Sequence, residues 1–245
     1  MATPDPQQHA KRLAGELAAS LVMPGMRVGL GTGSTASEAV RALGERIAED
    51  TDLKVEAVCS SERTRQLAEQ YGIPVVPLDG HPLDIYMDGA DQIDREGRLI
   101  KGGGGALLRE KLVAASARHR VILVDTSKLA RRLGRGFPVP VEVVAFGLDA
   151  TRQRIEALGG HAVLRTGPDG RAFLTDERHH ILDVIYADGI DQPAHLGSQL
   201  KALVGVVETG IFTGMTDAVI LADAKGAAMH SALDWPAAFD RHTQR

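Results

Sequence analysis

Five short stretches of this sequence carry groups able to act on a small anionic molecule. The first, Gly29-Leu-Gly-Thr-Gly-Ser-Thr35, follows an apolar run and opens a helical one. Backbone amides at a helix N-terminus, with Gly33 and the hydroxyls of Thr32, Ser34 and Thr35, suit a phosphate. No Lys-Ser or Lys-Thr follows, so a Walker-type nucleotide loop is excluded. Gly31-x-Gly33-x-x-Ala36 also fits a loose dinucleotide fingerprint with Glu56 as ribose acid. That acid should end the second strand, whereas Glu56 falls inside it. A ligand-free turn with a capping hydroxyl is the alternative.

The second stretch, Asp88-Gly89-Ala90-Asp91, sets two carboxylates three residues apart at a strand end. They suit sugar hydroxyls, a cation or a proton in transit, or merely cap a turn; calcium-loop spacing is not met. In the third, Lys101-Gly102-Gly103-Gly104-Gly105, consecutive glycines cost conformational entropy and point to close backbone approach to a ligand, a hinge being the alternative. The fourth centres on Glu110. At about 100° per residue it shares a helix side with Ala106, Leu107, Val113, Ala114 and Ala117, as the only charge in an apolar stripe. Desolvation there raises a carboxyl pKa towards the range useful for a base. Arg109 and Lys111 point elsewhere on such a helix and are poor ion partners, while Lys101 is free to come back over it. The fifth, Asp125-Thr-Ser-Lys128, ends a strand and brings Lys128 to the same rim, although a solvent-facing lysine is the ordinary case.

These groups must be held by a scaffold, and composition bounds it. The chain has 245 residues, 44% hydrophobic and 24% charged, within the range of globular proteins. It counts 28 basic against 32 acidic residues, a net charge of -4, and 4% aromatics. Both values argue against nucleic acid, which needs concentrated positive charge or stacking platforms. No apolar run reaches about 18 residues, so no membrane span is expected. Met1 to His9 has neither the basic nor the apolar part of a secretory signal. The lone Cys59 suits a reducing cytoplasm and reads as core. Nine histidines lack paired ligand spacing, and no metal or other cofactor is expected. No Gly-x-Ser-x-Gly elbow occurs.

Periodicity supplies the elements. Helices are expected over Gln7–Leu21, around Ala36–Ile47, and over Glu62–Gln70 and Leu107–Ala117. Strands are expected at Met26–Leu30, Leu53–Val58, Val75–Val76, Leu83–Met87 and Arg120–Val124. Alternating apolar strands and helices imply a parallel sheet covered on both faces, with sites at the carboxyl ends of the strands. Beyond Gly134 the character changes. Val139–Phe146, Ala150–Leu158, His161–Arg165, Ile181–Ala187, Gln192–Leu203 and Val206–Phe212 read as β-α-β-β-α-β, the split pattern of a ferredoxin-like domain. Ala218–Ala222 is a further strand, expected to return to the first sheet, and the tail after Gly226 shows no clear pattern. The expected division is a Rossmann-like domain over 1–134 plus 208–245, with an inserted ferredoxin-like α+β domain over 135–207.

Taken together, these stretches resemble ribose-5-phosphate isomerase of the A type. The match comprises Gly29 to Ala36, Asp88 to Asp91, Lys101 to Gly104, Leu108-Arg-Glu-Lys111 and Val124 to Lys128. It continues through Phe137-Pro-Val-Pro-Val-Glu-Val143, Thr175-Asp176 and Ile181-Leu-Asp183, in order over roughly residues 7 to 225. The resemblance implies metal-free interconversion of ribose 5-phosphate and ribulose 5-phosphate in the pentose phosphate pathway, and a cytoplasmic homo-oligomer, dimer or tetramer. It implies Glu110 as proton acceptor. Thr32 to Thr35, Asp88 to Asp91, Lys101 to Gly104 and Lys128 are implied as substrate-binding residues, with Lys11 near the phosphate. Asp88, Asp91 and Lys101 join Glu110 as candidates for the catalytic steps. The chain departs from the pattern at Gln92, where Glu is frequent, at Gly105, and in its tail. A non-catalytic sugar-phosphate sensor, a coenzyme A transferase with a glutamate nucleophile and an NAD-dependent dehydrogenase remain as other readings.

Overall fold

The computed structural model describes residues 5–243. Residues 1–4 and 244–245, the outer limits of the expected large domain, lie outside the described residues. The chain folds as two compact units. One comprises the residues up to Ala90, Arg109–Leu129 and those from Met215 onward; the other comprises Asp91–Leu108 and Ala130–Gly214.

In chain order, α1 (Pro6–Ser20), β1 (Arg27–Leu30), α2 (Ser34–Glu49), β2 (Glu56–Cys59), α3 (Glu62–Gln70) and β3 (Leu83–Gly89) alternate. The short strands β4 (Gln92–Ile93) and β5 (Leu99–Ile100) lead to α4 (Leu107–Ala115) and β6 (Ala117–Asp125). There follow β7 (Val139–Val143), α5 (Leu148–Glu156), β8 (His161–Leu164), β9 (His180–Ile185), α6 (Pro193–Lys201) and β10 (Val206–Thr209). Last come β11 (Ile211–Phe212), β12 (Ala218–Asp223), β13 (Gly226–Ser231) and α7 (Trp235–Thr243).

The first unit is built on a six-stranded sheet in the order β13-β12-β6-β3-β1-β2. All neighbours pair in parallel except β12 with β13. Val121 to Val124 are buried without alternation, as expected of a strand covered on both faces. Helix α1 starts at Asp5, whose side chain accepts from the Gln7 amide, with Pro6 in the first turn. Its buried Ala10, Ala14 and Ala18 face the core that also holds Val28, Leu30, Val40 and Leu43. Strand order reverses between β1 and β3: the chain runs from β1 outward to β2, then returns to place β3 on the other side. The crevice at the carboxyl ends of such a pair is where open α/β sheets hold ligands.

In the second unit, β7, α5, β8, β9, α6 and β10 follow the split β-α-β-β-α-β order, and their sheet runs β10-β7-β9-β8, all antiparallel. Its core includes Val141, Ile155, Leu182, Val184 and Leu200. The chain is therefore α/β, with a parallel central sheet and a separate small antiparallel domain.

The expected inserted segment, 135–207, lies within the second unit, which also takes in Asp91–Leu108 and continues to Gly214. The reason is a third sheet, β11-β5-β4. The run Val206–Phe212, read as one strand, is two: Gly210 donates to the Pro140 carbonyl at 2.7 Å and accepts from Lys101 at 2.9 Å, so the chain leaves one sheet for the next. Val75–Val76 makes only an isolated bridge to Ala57 and no strand. The tail has more structure than its sequence suggested. Strand β13 pairs along β12, and α7 buries Trp235, Ala238 and Phe239 at helical spacing despite Pro236, which the first turn tolerates. Strand β12 returns to the first sheet beside β6, as expected. No helix among the described residues is long and apolar enough to cross a membrane.

Cys59, at the end of β2, packs partly buried against the main core. Burial pushes its thiol up to about 12, with the charge of Glu69 acting in the same direction. The thiolate is the reactive form, so at pH 8 the native protein should react with an aromatic disulfide reagent far more slowly than the urea-unfolded chain. Equal rates in the two states would contradict this.

Candidate active site

The rim of the parallel sheet brings together three of the sequence-predicted stretches. Strands β6, β3 and β1 are neighbours, so Asp125 to Lys128, Asp88 to Ala90 and Gly31 to Thr35 all leave carboxyl ends of adjacent strands. At the reversal between β1 and β3, Gly31 donates to the Met87 carbonyl at 2.9 Å. It lies so close to Asp88 that a Cβ on Gly31 would stand 2.0 Å from the Asp88 Cγ. Glycine there is a requirement of close approach.

Asp88 is completely buried. Its Oδ1 accepts from the Thr32 amide at 3.1 Å and the Gly89 amide at 2.7 Å, and its Oδ2 accepts from the Tyr86 hydroxyl. Three donors fix this carboxylate in place. Tyr86 is buried as well, and its phenol is held well above its ordinary pKa, first by burial, then by the negative charges of Asp88 and Glu110. It stays protonated and remains a donor. The same dependence puts Glu110 in the electrostatic neighbourhood of the Tyr86–Asp88 pair.

Glu110 lies in the first turn of α4 and is 2% exposed. Val113 and Ala114 on its helix are buried, whereas Leu112 is half exposed. Of the apolar stripe read from the sequence, Leu107, Val113 and Ala114 form the buried face of α4, whereas Ala106 precedes the helix and Ala117 opens β6 instead of extending it. Arg109 turns away and pairs with Glu62 at 3.1 Å.

The loop after β1 differs from expectation in one respect. The Thr32 hydroxyl is not on the open side. It lies 2.8 Å from the hydroxyls of both Ser60 and Ser61 and 3.2 Å from that of Thr64. A hydroxyl has one proton and two lone pairs, so this cluster occupies it. Thr35 is buried and Ser34 exposed. What the loop presents is the N-terminus of α2, where Gly33 supplies no side-chain cap. A cap would contribute about 1 kcal/mol. Burial of Val40 and Leu43 contributes about 1.5–3 kcal/mol each, so packing holds the helix while its first amides stay available to an anion.

Lys128 closes a short 3-10 turn, Thr126–Lys128, in which Asp125 accepts from the Ser127 amide at 2.8 Å. The lysine is half-buried, as is Lys11 on α1. Beside that turn, Pro6, Gln7, Asp125, Ser127, Ala222 and Lys225 line a cleft of about 540 Å³. Glu56 begins β2, is exposed and pairs with Arg27 at 3.2 Å. It sits at the end of the strand opposite the rim, where no ribose acid could serve.

The remaining predicted residues belong to the second unit. Lys101 is 2% exposed, with its Nζ 5.6 Å from the Phe212 ring centroid. Asp91 accepts from the Gly103 amide at 2.8 Å. Gly103 and Gly104 are exposed, Gly102 buried. Two departures from the resembled pattern have physical reasons. Gln92 donates to the Arg135 carbonyl at 2.9 Å and accepts from the Gly134 amide at 2.8 Å, a double role an ionised glutamate cannot fill. Gly105 has φ +86°, and a Cβ on it would meet the Phe173 ring at 2.5 Å.

Sequence reading missed Tyr86 and the hydroxyls of Ser60, Ser61 and Thr64. Tyr86 had a signal: two residues before Asp88 in a strand, it shares that residue's face.

Fold and site define a class of protein: a parallel-sheet α/β protein with an uncapped helix at the strand-order reversal, and two buried carboxylates beside one buried phenol. The family model for ribose 5-phosphate isomerase A (phosphoriboisomerase A) matches residues 56–226. A ribose-5-phosphate isomerase A of Synechococcus sp. (strain JA-3-3Ab) is 51% identical over 218 residues, 88% of this chain and 94% of its own. One from Nitrobacter hamburgensis is 48% identical over 223 residues, with coverage of 88% and 94%. The solved ribose 5-phosphate isomerase A of Methanocaldococcus jannaschii superposes with a TM-score of 0.87 at 40% identity, covering 92% of this chain and 99% of that one. The chain belongs to the ribose 5-phosphate isomerase A family.

Proposed function

We propose that this protein interconverts D-ribose 5-phosphate and D-ribulose 5-phosphate through an enediolate, with Glu110 as the base. The observation that carries the reading is the burial of Glu110 on the apolar face of α4, where its charge bears on the Tyr86 phenol that donates to Asp88.

The open aldose loses the proton on C2 to the Glu110 carboxylate. The electron pair left behind forms the C1–C2 double bond, and the C1 carbonyl oxygen takes the negative charge. Transfer of the O2 proton to O1 and return of the proton from Glu110 to C1 give the ketose, so atoms and charge balance without any further reactant. Moving one proton between adjacent carbons asks for a single base, and such catalysis supplies about 10²–10⁴-fold. Donors aimed at the developing oxyanion supply more. Lys101 and Lys128 serve that purpose, and the Lys101–Gly104 stretch binds the sugar phosphate. The amides of Gly33 to Thr35 at the α2 N-terminus take the phosphate, with Lys11 adding charge. Asp88, fixed by donors from Thr32, Gly89 and Tyr86, is an acceptor for sugar hydroxyls, and Asp88 or Asp91 moves the proton that opens the sugar ring. The working form is a cytoplasmic homo-oligomer.

Purified protein treated with a chelator and given ribose 5-phosphate should form ribulose 5-phosphate at the untreated rate. Absence of conversion in both samples overturns the reaction; loss on chelation alone overturns the metal-free mechanism.

A further inference from the structure

Within the second unit, Arg165 follows β8 and Asp183 lies in β9. The register pairs Val163 with Asp183, two residues from the arginine and on its face of the sheet. The guanidinium donates from Nε to Asp183 Oδ2 at 2.8 Å and from Nη2 to Oδ1 at 2.5 Å, a bidentate pair of largely buried side chains. Its remaining nitrogen, Nη1, donates to two successive carbonyls, Gly102 at 2.9 Å and Gly103 at 3.1 Å. The Phe173 ring lies 5.9 Å from the guanidinium carbon and fills the space a side chain at Gly105 would need.

Peptide planarity turns this contact into an orientation. In a trans peptide the N–H points opposite to the C=O of the same plane. With both carbonyls drawn to Arg165, the N–H groups of Gly103 and Gly104 point the other way. The Gly103 amide meets Asp91 Oδ2 at 2.8 Å. The Gly104 amide, on an exposed residue, has no protein acceptor among the described residues.

We propose that Arg165, locked by Asp183, is the positioning residue of the Lys101–Gly104 stretch, setting two peptide planes so that the Gly104 amide is presented to an oxygen of the sugar phosphate. This rests on the substrate-binding role given to that stretch above. It also gives a task to Asp183, at the end of the Ile181-Leu-Asp183 motif.

The test uses a chain carrying both Arg165→Met and Asp183→Asn, which leaves no unpaired ion buried. A KM for ribose 5-phosphate raised about tenfold or more is expected, the scale of one lost hydrogen bond to an anionic ligand, with kcat within about threefold. Arg165→Lys keeps the charge but not the fork and should raise KM similarly; should the double variant fail to fold, this variant decides alone. Gly103→Ala, whose Cβ would stand 2.7 Å from Asp91 Oδ1, disturbs the same planes without touching Arg165. Wild-type KM in the arginine variants with a raised KM in Gly103→Ala overturns the positioning role and leaves the loop reading intact. Wild-type KM in all of them overturns both.

Discussion

Glu110→Gln should lower kcat for ribose 5-phosphate by at least 10²–10⁴-fold, the contribution expected of a general base, while the protein still binds the sugar phosphate. The substitution is nearly isosteric. It keeps the buried face of α4 that also carries Val113 and Ala114 and removes only the capacity to take a proton. A steady-state assay gives the rate, and titration calorimetry with ribose 5-phosphate gives the binding. A variant within tenfold of the wild-type rate would remove Glu110 from the chemistry. Loss of binding together with rate would mean that the residue holds the ligand instead of moving a proton.

Gly31→Ala should cost about 10²-fold in kcat/KM, because the methyl group cannot share space with the Asp88 carboxyl and must push it aside. A displacement of about 1 Å in a catalytic constellation has an effect of this size. Overpacking of a buried contact also destabilises by about 1–3 kcal/mol, visible in a urea titration. The two readouts separate cause from consequence: activity per folded molecule, measured well below the unfolding midpoint, should still be down by about two orders of magnitude. Full activity in the folded variant would mean that Asp88 tolerates displacement and is no fixed acceptor.

How legible this was in the sequence can be judged residue by residue. Glu110 was legible because one charge in a helical apolar stripe has few explanations, and the structure buries it. Helix α3 was read to the residue, Glu62–Gln70, since Ser61 caps it and Tyr71-Gly72 ends it. The split order of the small domain followed from periodicity and turn residues. What escaped has a common physical character. Strands β4, β5 and β11 are two residues long, too short for any alternation to show. Helix α7 hid behind Pro236. The turn of the Thr32 hydroxyl towards Ser60, Ser61 and Thr64 depends on β2 lying beside β1, and Arg165 reaches Gly102 across 63 residues of sequence. Contacts of that kind are set by tertiary structure and leave no local pattern.

The tail has a meaning apart from the chemistry. Strand β12 is a run of apolar residues, Ala218 to Ala222, whose free side would offer unpaired amides and carbonyls to any neighbouring chain. By laying β13 along it in six paired positions, the protein hands the border of the sheet from this apolar strand to β13, whose Gly226, Ala227 and Ala228 are poor strand formers. Open sheet borders invite stacking between molecules and, eventually, aggregation. The segment from Gly226 to Thr243 therefore withdraws the most adhesive strand from the sheet's border, and a crowded cell is where that matters.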